Sequence, residues 1–418
     1  MTARSSAAVS QTPLCRAPEE ASASATLCAP RFADAGRIVI NSRRELAAVR
    51  RGYMETRHML TLGDFERGER IRLAAAAEQA ALTLLSVKTR EEASRWLSAN
   101  EASALLLGTQ DSSPSELAIE ARAEARHARM PILALADDLS DLSFADAFSW
   151  GADDVVGLGR LRPLASRLRV LAHSEPQPSA EHRGIAVIAE TDRNRRVLLG
   201  RVLRNANYHI KFAVSLDDTR QFAEDPEVSL VVLDAELDPN PQETITRCRA
   251  TNQRANWVIT CPPKELRRVR ESLAELPRVC AADAFTPPEN VLFLSNELSS
   301  SGFETRRQSP RILYGTTVAF RAKGHHEDDY GFTYNISETG VFIRTTAPPD
   351  QDTVWLELCP PRSGSRVRLV GEVAWRRRFG PSDHATVPPG FGVRIVDGAK
   401  SDIQEWRAGY QSLGQLVL

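Results

Sequence analysis

Between residues 183 and 298, short apolar and β-branched runs alternate with helical patterns, and this alternation constrains the chain more than any other feature. Ile185–Ile188, His209–Val214, Ser229–Leu233, Trp257–Thr260 and Arg278–Ala282 read as strands. Helices are expected over 195–205 and near 241–250, 264–275 and 288–298. Strands that alternate with helices build βαβ units around a parallel sheet covered on both faces. In such sheets chemistry gathers at the carboxyl ends of the strands.

Residues 57–173 repeat the plan. Met59–Leu62, Leu82–Val87, Ala104–Leu107, Pro131–Leu135 and Gly151–Val156 read as strand runs, with helices expected over 67–81 and 161–172. Asp64 stands 44 residues before Gly108, and Glu190 stands the same distance before Asp234. Equal spacing in two independently read segments points to a duplicated domain.

The remaining chain divides by composition. Residues 1–35 are mostly Ala, Ser, Thr and Pro and are expected to be a disordered tail, since they bury too little apolar surface to offset the entropy of ordering. Residues 36–56 are not placed. Ser174–Ala180 and Ser299–Gly302 have linker composition. Residues 303–418 change character: strands are expected at Thr316–Ala322, Tyr330–Tyr334, Val341–Thr345, Val354–Leu358, Arg366–Arg376 and Gly390–Ile395, with a helix near 401–412. Many short strands between Pro, Gly and Ser turns suggest a small antiparallel barrel. The expected architecture is multidomain: two doubly wound α/β parallel-sheet (flavodoxin-like) domains at 57–173 and 183–298, then a β-barrel at 303–418.

Both α/β segments resemble the receiver domain of bacterial two-component systems. That family carries two acidic residues after strand one for Mg²⁺, a phosphoacceptor Asp after strand three, a Ser or Thr after strand four and a Lys after strand five. The ion and the ammonium neutralise charge built up in phosphoryl transfer. In the second segment the resemblance assigns Glu190 and Thr191 to the acidic pair, with Asp192 next, Asp234 to the acceptor and Thr260 to the hydroxyl; Thr286-Pro287 replaces Lys-Pro. Asp234 is thus a candidate phosphoacceptor without its cation. Mg²⁺ at Glu190, Asp192 and Asp234 is not expected, and no cofactor is. In the first segment Asp64 remains, but Gly108, Ala136 and Leu158 occupy the acceptor, hydroxyl and lysine positions, so the segment reads as a pseudo-receiver. Asp153-Asp154 matches the loop before the fifth strand and is expected to be a solvated turn.

The barrel segment carries Arg307-Gln-Ser-Pro-Arg311 and, 24 residues past Arg311, Asn335-Ile-Ser-Glu-Thr-Gly340. These R-x-x-x-R and [D/N]-x-S-x-x-G motifs, in this order, resemble those of the PilZ domain, the receptor for cyclic di-GMP. The resemblance, with Gly371–Trp375 in support, covers about 110 residues and implies that Arg307, Arg311, Asn335, Ser337 and Gly340 bind the dinucleotide. The chemistry agrees. Guanidinium forks hydrogen-bond phosphates or a guanine Hoogsteen edge and stack on bases, and a small polar hairpin reaches a base edge or phosphate. Gly340 permits a turn or a close backbone approach. In PilZ domains an Arg at the position of Arg306 accompanies two intercalated ligands, so two per chain are expected.

Three other clusters are read as structural. His325–Asp329 is expected to be a hydrated loop rather than a metal site, Trp375 barrel core, and Arg376–Arg378 a solvated strand end. The balance of 53 Lys and Arg against 54 Asp and Glu leaves no overall field to draw the chain onto nucleic acid or an acidic membrane. No apolar run approaches bilayer length, and the six cysteines, at 15, 28, 248, 261, 280 and 359, form neither a disulfide framework nor a zinc pattern. Without a secretory signal, a reducing cytoplasm is expected. No catalytic motif stands in a fitting context. The expected function is a non-enzymatic cyclic di-GMP effector whose receiver-like domains bind an unidentified protein partner. The alternatives are a phosphorylation-driven response regulator using Asp234 and a ligand-independent scaffold.

Overall fold

The computed structural model describes residues 57–109, 113–124, 126–172, 182–300, 309–380 and 387–417. The expected tail at 1–35, residues 36–56, the linker 174–180, and Arg306 and Arg307 lie outside the described residues.

The first sheet is parallel and holds β1 (His58–Leu62), β2 (Thr83–Val87), β3 (Ala104–Gly108), β4 (Ile132–Ala136) and β5 (Asp154–Gly157) in the order β2-β1-β3-β4-β5. It is covered by α1 (Arg67–Gln79), α2 (Arg90–Ala99), α3 (Ser113–Ala123), α4 (Asp141–Ser149) and α5 (Leu161–Ala172). β3 and β4 are buried along their whole length, as strands covered on both faces must be. The apolar pattern does not disclose α2, which buries only Ala93 and Leu97; its start is set by the Thr89 hydroxyl, which accepts from Glu92 N–H at 3.2 Å.

The second sheet repeats the topology with β6 (Ile185–Ala189), β7 (His209–Phe212), β8 (Val228–Asp234), β9 (Asn256–Cys261) and β10 (Val279–Asp283), in the order β10-β9-β8-β6-β7. Its helices are α6 (Arg193–Asn205), α7 (Leu216–Ala223), α8 (Pro241–Cys248), α9 (Leu266–Leu273) and α10 (Asn290–Ser300). Two expectations are corrected here. The second strand ends at Phe212 rather than Val214, because Ser215 caps α7 by accepting from Asp218 N–H. Ser299 and Ser300, read as linker, continue α10: their hydroxyls donate to the Ser295 and Asn296 carbonyls at 2.8 Å, and Ser299 accepts from Asn256 Nδ2.

The third sheet comprises β11 (Ile312–Leu313), β12 (Thr317–Ala322), β13 (Asp329–Ser337), β14 (Gly340–Arg344), β15 (Thr353–Leu358), β16 (Val367–Arg377) and β17 (Gly390–Gly398). Strands β13-β12-β15-β16-β17-β14 close into an antiparallel ring through β13–β14 pairing, and β11 adds to β13. Val318, Phe320, Ile336, Ile343, Leu369 and Phe391 fill the interior. The following helix α11 (Lys400–Val417) contributes Trp406 to that core, where its indole N–H donates to Glu338 O at 3.0 Å. Trp375 is not core: it is 36% exposed and stacks on Phe342 with ring centroids 5.0 Å apart.

Residues 55–418 form one compact unit in which each domain touches both others. Phe332 of the barrel enters the core of the first domain, stacked on Phe144 at 5.5 Å. Asp141 accepts from Thr317 N–H and the Thr316 hydroxyl. The largest departure from expectation lies at Asp153-Asp154, which are 4% and 0% exposed rather than a solvated turn. Asp153 is shared by Arg122 and, across the boundary with the second sheet, Arg201. Asp154 accepts from Arg167 Nε at 2.9 Å and from Thr345 and Thr346 of the barrel.

Candidate functional site

In an antiparallel ladder, residues directly opposed project to the same side. The barrel register therefore sorts its outer face into transverse rows. Leu313, Asn335, Phe342, Gly392 and Trp375 form one row. Ser337, Gly340, Arg394 and Glu372 form the next. Ile312 pairs with Ile336, so the residue before it, Arg311, enters the ladder beside Ser337. Three of the expected ligand residues, Asn335, Ser337 and Gly340, are thus brought together on one hairpin, with Arg311 at its flank.

Asn335 is 3% exposed, and its amide Nδ2 finds no hydrogen-bond partner among the described residues. A buried amide donor left unpaired is costly, so the Asn335 amide has a hydrogen bond to give to an added acceptor. The Ser337 hydroxyl lies 3.4 Å from Gly340 O across the turn. Gly340 does serve a close approach, but to its own barrel: a Cβ there would fall 2.7 Å from Val393 O of β17. Trp375, expected in the core, instead lies part-exposed over Gly392 in the Asn335 row, stacked on the buried Phe342.

The candidate phosphoacceptor lies elsewhere, at the carboxyl ends of β6 and β8. Asp234 Oδ2 accepts from Thr191 N–H at 3.2 Å and from the Thr191 hydroxyl. Arg195, on the first turn of α6, pairs with Glu190 at 3.1 Å and donates to Thr286 O at 3.2 Å. This position was not recognised in sequence: the pattern searched for a cation after the fifth strand, whereas the guanidinium arrives from a helix. Burial and the Asp234 carboxylate push Glu190 up to about 7 despite Arg195. Asp192 instead caps α6, accepting from Arg195 N–H at 2.8 Å. Among the described residues no group of three His, Cys, Asp or Glu is placed to hold a metal.

The residues read as structural divide. Residues 323–328 are exposed, whereas Asp329 begins β13 and pairs with Arg167 at 2.9 Å. Of Arg376–Arg378 only Arg378 is exposed as expected: Arg376 donates to Pro349 O and Gln351 O, and burial lowers Arg377 to about 10. Among the described residues no helix is long and apolar enough to cross a membrane.

Comparison with known proteins adds the following. None of the curated proteins compared matches the chain. A solved structure of the Bacillus subtilis inhibitor of motility MotI/DgrA is similar at 19% identity over 27% of this chain, with a TM-score of 0.22; the chain spans about half, 52%, of that protein. The PilZ domain of CeSA from a cellulose-synthesizing bacterium is similar at 16% identity over 26% of this chain and 100% of that one, with a TM-score of 0.19. A putative two-component system response regulator/GGDEF domain protein is similar at 18% identity over 59% of this chain and 100% of that one, with a TM-score of 0.28. Residues 305–409 match the family model of the PilZ domain. The closed barrel that carries the Asn335–Gly340 hairpin is a PilZ domain, preceded by two receiver-like α/β domains.

Proposed function

We propose that the chain is a cyclic di-GMP effector in which the PilZ barrel binds the dinucleotide and the receiver-like domains carry the protein-interaction surface. The carrying observation is the buried, unpartnered Asn335 amide on the same hairpin as Ser337 and beside the entry of Arg311. Cyclic di-GMP would offer acceptors on the guanine edge and phosphodiester for the Asn335 amide N–H and the Ser337 hydroxyl, and anionic oxygens for Arg307 and Arg311. Trp375, 36% exposed and backed by the buried Phe342 ring, offers an indole face to a base.

The mechanism follows from the location. Residues 301–311 stand between α10 of the second receiver-like domain and β11, so closing Arg307 and Arg311 over the ligand would bias the setting of the barrel against that domain. Calorimetric titration of the full chain with cyclic di-GMP tests the reading. Arg307→Ala or Arg311→Ala should weaken binding about 30-fold or more, from a desolvated charge contact worth roughly 2–5 kcal/mol. Parental affinity in both variants defeats the assignment.

A second reading, phosphorylation at Asp234, gains one specific support: Arg195 brings a guanidinium to Glu190 beside that carboxylate. Incubation with a small phosphoryl donor followed by intact-mass analysis tests it. A mass gain abolished by Asp234→Asn supports this reading, and no gain removes it.

A further inference from the structure

A cavity of about 330 Å³ is lined by residues of all three domains and lies one row along the barrel from Asn335; neither Asn335, Ser337, Gly340 nor Asp234 lines it. The barrel's third outer row leads to it. Arg344 and Arg377 both oppose Gly390, one step along β14 and β16 from Phe342 and Trp375. Arg129 comes from the first domain and Arg201 from α6 of the second, with Arg57 at the wall as well. Against these five arginines stand two carboxylates, Asp153 and Glu289.

Asp153 is held between Arg122 and Arg201, and Glu289 Oε1 accepts from Arg344 at 2.8 Å while its buried Oε2 has no partner among the described residues. Arg344 and Arg201 are 3% and 4% exposed, yet the Nε–H of each has no partner, and the same holds for Arg377 Nε–H. Arg377 Nη2 donates only to the neutral Gly380 carbonyl among the described residues. Arg129 has no side-chain hydrogen bond or ion pair among the described residues. Arg129 and Arg57 stand exposed at the rim, but Arg201, Arg344 and the part-buried Arg377 keep uncommitted donors with too few counter-charges, an electrostatic deficit that an anion would fill. Beside them run Leu171, Val202, Phe379 and Pro389, an apolar wall.

We propose that this junction is a second ligand site, which takes a small phosphomonoester with a flat apolar body, of nucleoside monophosphate size. A phosphomonoester is dianionic near neutral pH and presents several acceptor oxygens, which suits separate forks arriving from three domains. The volume falls at the small end of the range for small-molecule sites. Since each domain contributes at least one arginine, occupancy would bind the three domains together.

The test is calorimetry of the full chain with adenosine 5′-monophosphate, alone and in the presence of inorganic phosphate, on the parent, Arg377→Gln and Arg129→Gln. Saturable binding is expected, weakened at least tenfold in both variants and competed by inorganic phosphate. Arg129→Gln removes a side chain with no partner in the fold, and should leave the cyclic di-GMP isotherm as in the parent, which separates this site from the hairpin. Absence of saturable binding in the parent, or parental affinity in Arg129→Gln, overturns the proposal.

Discussion

Arg167 and Asp154 form an ion pair at 2.9 Å whose side chains are 1% and 0% exposed, and the barrel completes it from outside the first domain. Asp329 and Tyr330 O take the remaining guanidinium donors, while Thr345 and Thr346 donate to Asp154. The surrounding carboxylates raise the pKa of Arg167 against the effect of burial. A buried charge is tolerated only when paired and hydrogen-bonded, so neither domain can present its half of this network alone without cost.

Substituting Arg167→Ala should therefore destabilise the chain by about 3–5 kcal/mol, the range for removing one partner of a buried pair. Urea unfolding of the parent should couple the first domain to the barrel. In the variant the transition should shift to lower denaturant and split. A shift worth under about 1 kcal/mol would place the pair among weak surface bridges.

Ligand stoichiometry reports on Arg306. Two cyclic di-GMP molecules per chain are expected by calorimetry, falling to one in Arg306→Ala. A parental value of one removes this role for Arg306. On the hairpin, Asn335→Ala should lower affinity about fivefold, as expected for one hydrogen bond of roughly 1 kcal/mol.

The Gly340 contact predicts a structural rather than a recognition effect. An added Cβ would meet Val393 O at 2.7 Å, a backbone atom that moves only if β14 and β17 part. Gly340→Ala should cost about 1–3 kcal/mol of stability even without ligand. Thermal unfolding of the ligand-free variant checks this, and an unchanged Tm would contradict the close approach.

Glu190 gives the pH dependence a sign. Burial and the Asp234 charge raise its folded pKa from 4.5 to about 7. Between these values the folded chain holds a proton that the unfolded chain has released, so this group's stabilising contribution is complete below 4.5 and is lost as pH rises to about 7. Glu190→Gln should abolish that segment of the curve. The observable is the difference in Tm between parent and variant from pH 5 to 7, and a flat difference would argue against the raised pKa.

Local patterns carried the architecture. Alternating strand runs and helical stretches need only neighbouring residues to be recognised, so both parallel sheets and the barrel strands were legible, as was the hairpin motif Asn335–Gly340. Short helices with few apolar residues, α2 above all, escaped because their boundaries rest on a single capping hydroxyl. The sequence alone presented Asp153-Asp154 as two charges in a turn, Trp375 as one more large apolar residue, and Arg377 as part of a basic run. Burial is a property of what another segment covers. Asp154 is dry because Arg167 lies 13 residues further on and Thr345 and Thr346 come from a different domain, and Arg377 is enclosed because three domains converge on it. Residues distant in sequence become a site only when docking removes water from between them, and that was decided by the tertiary structure.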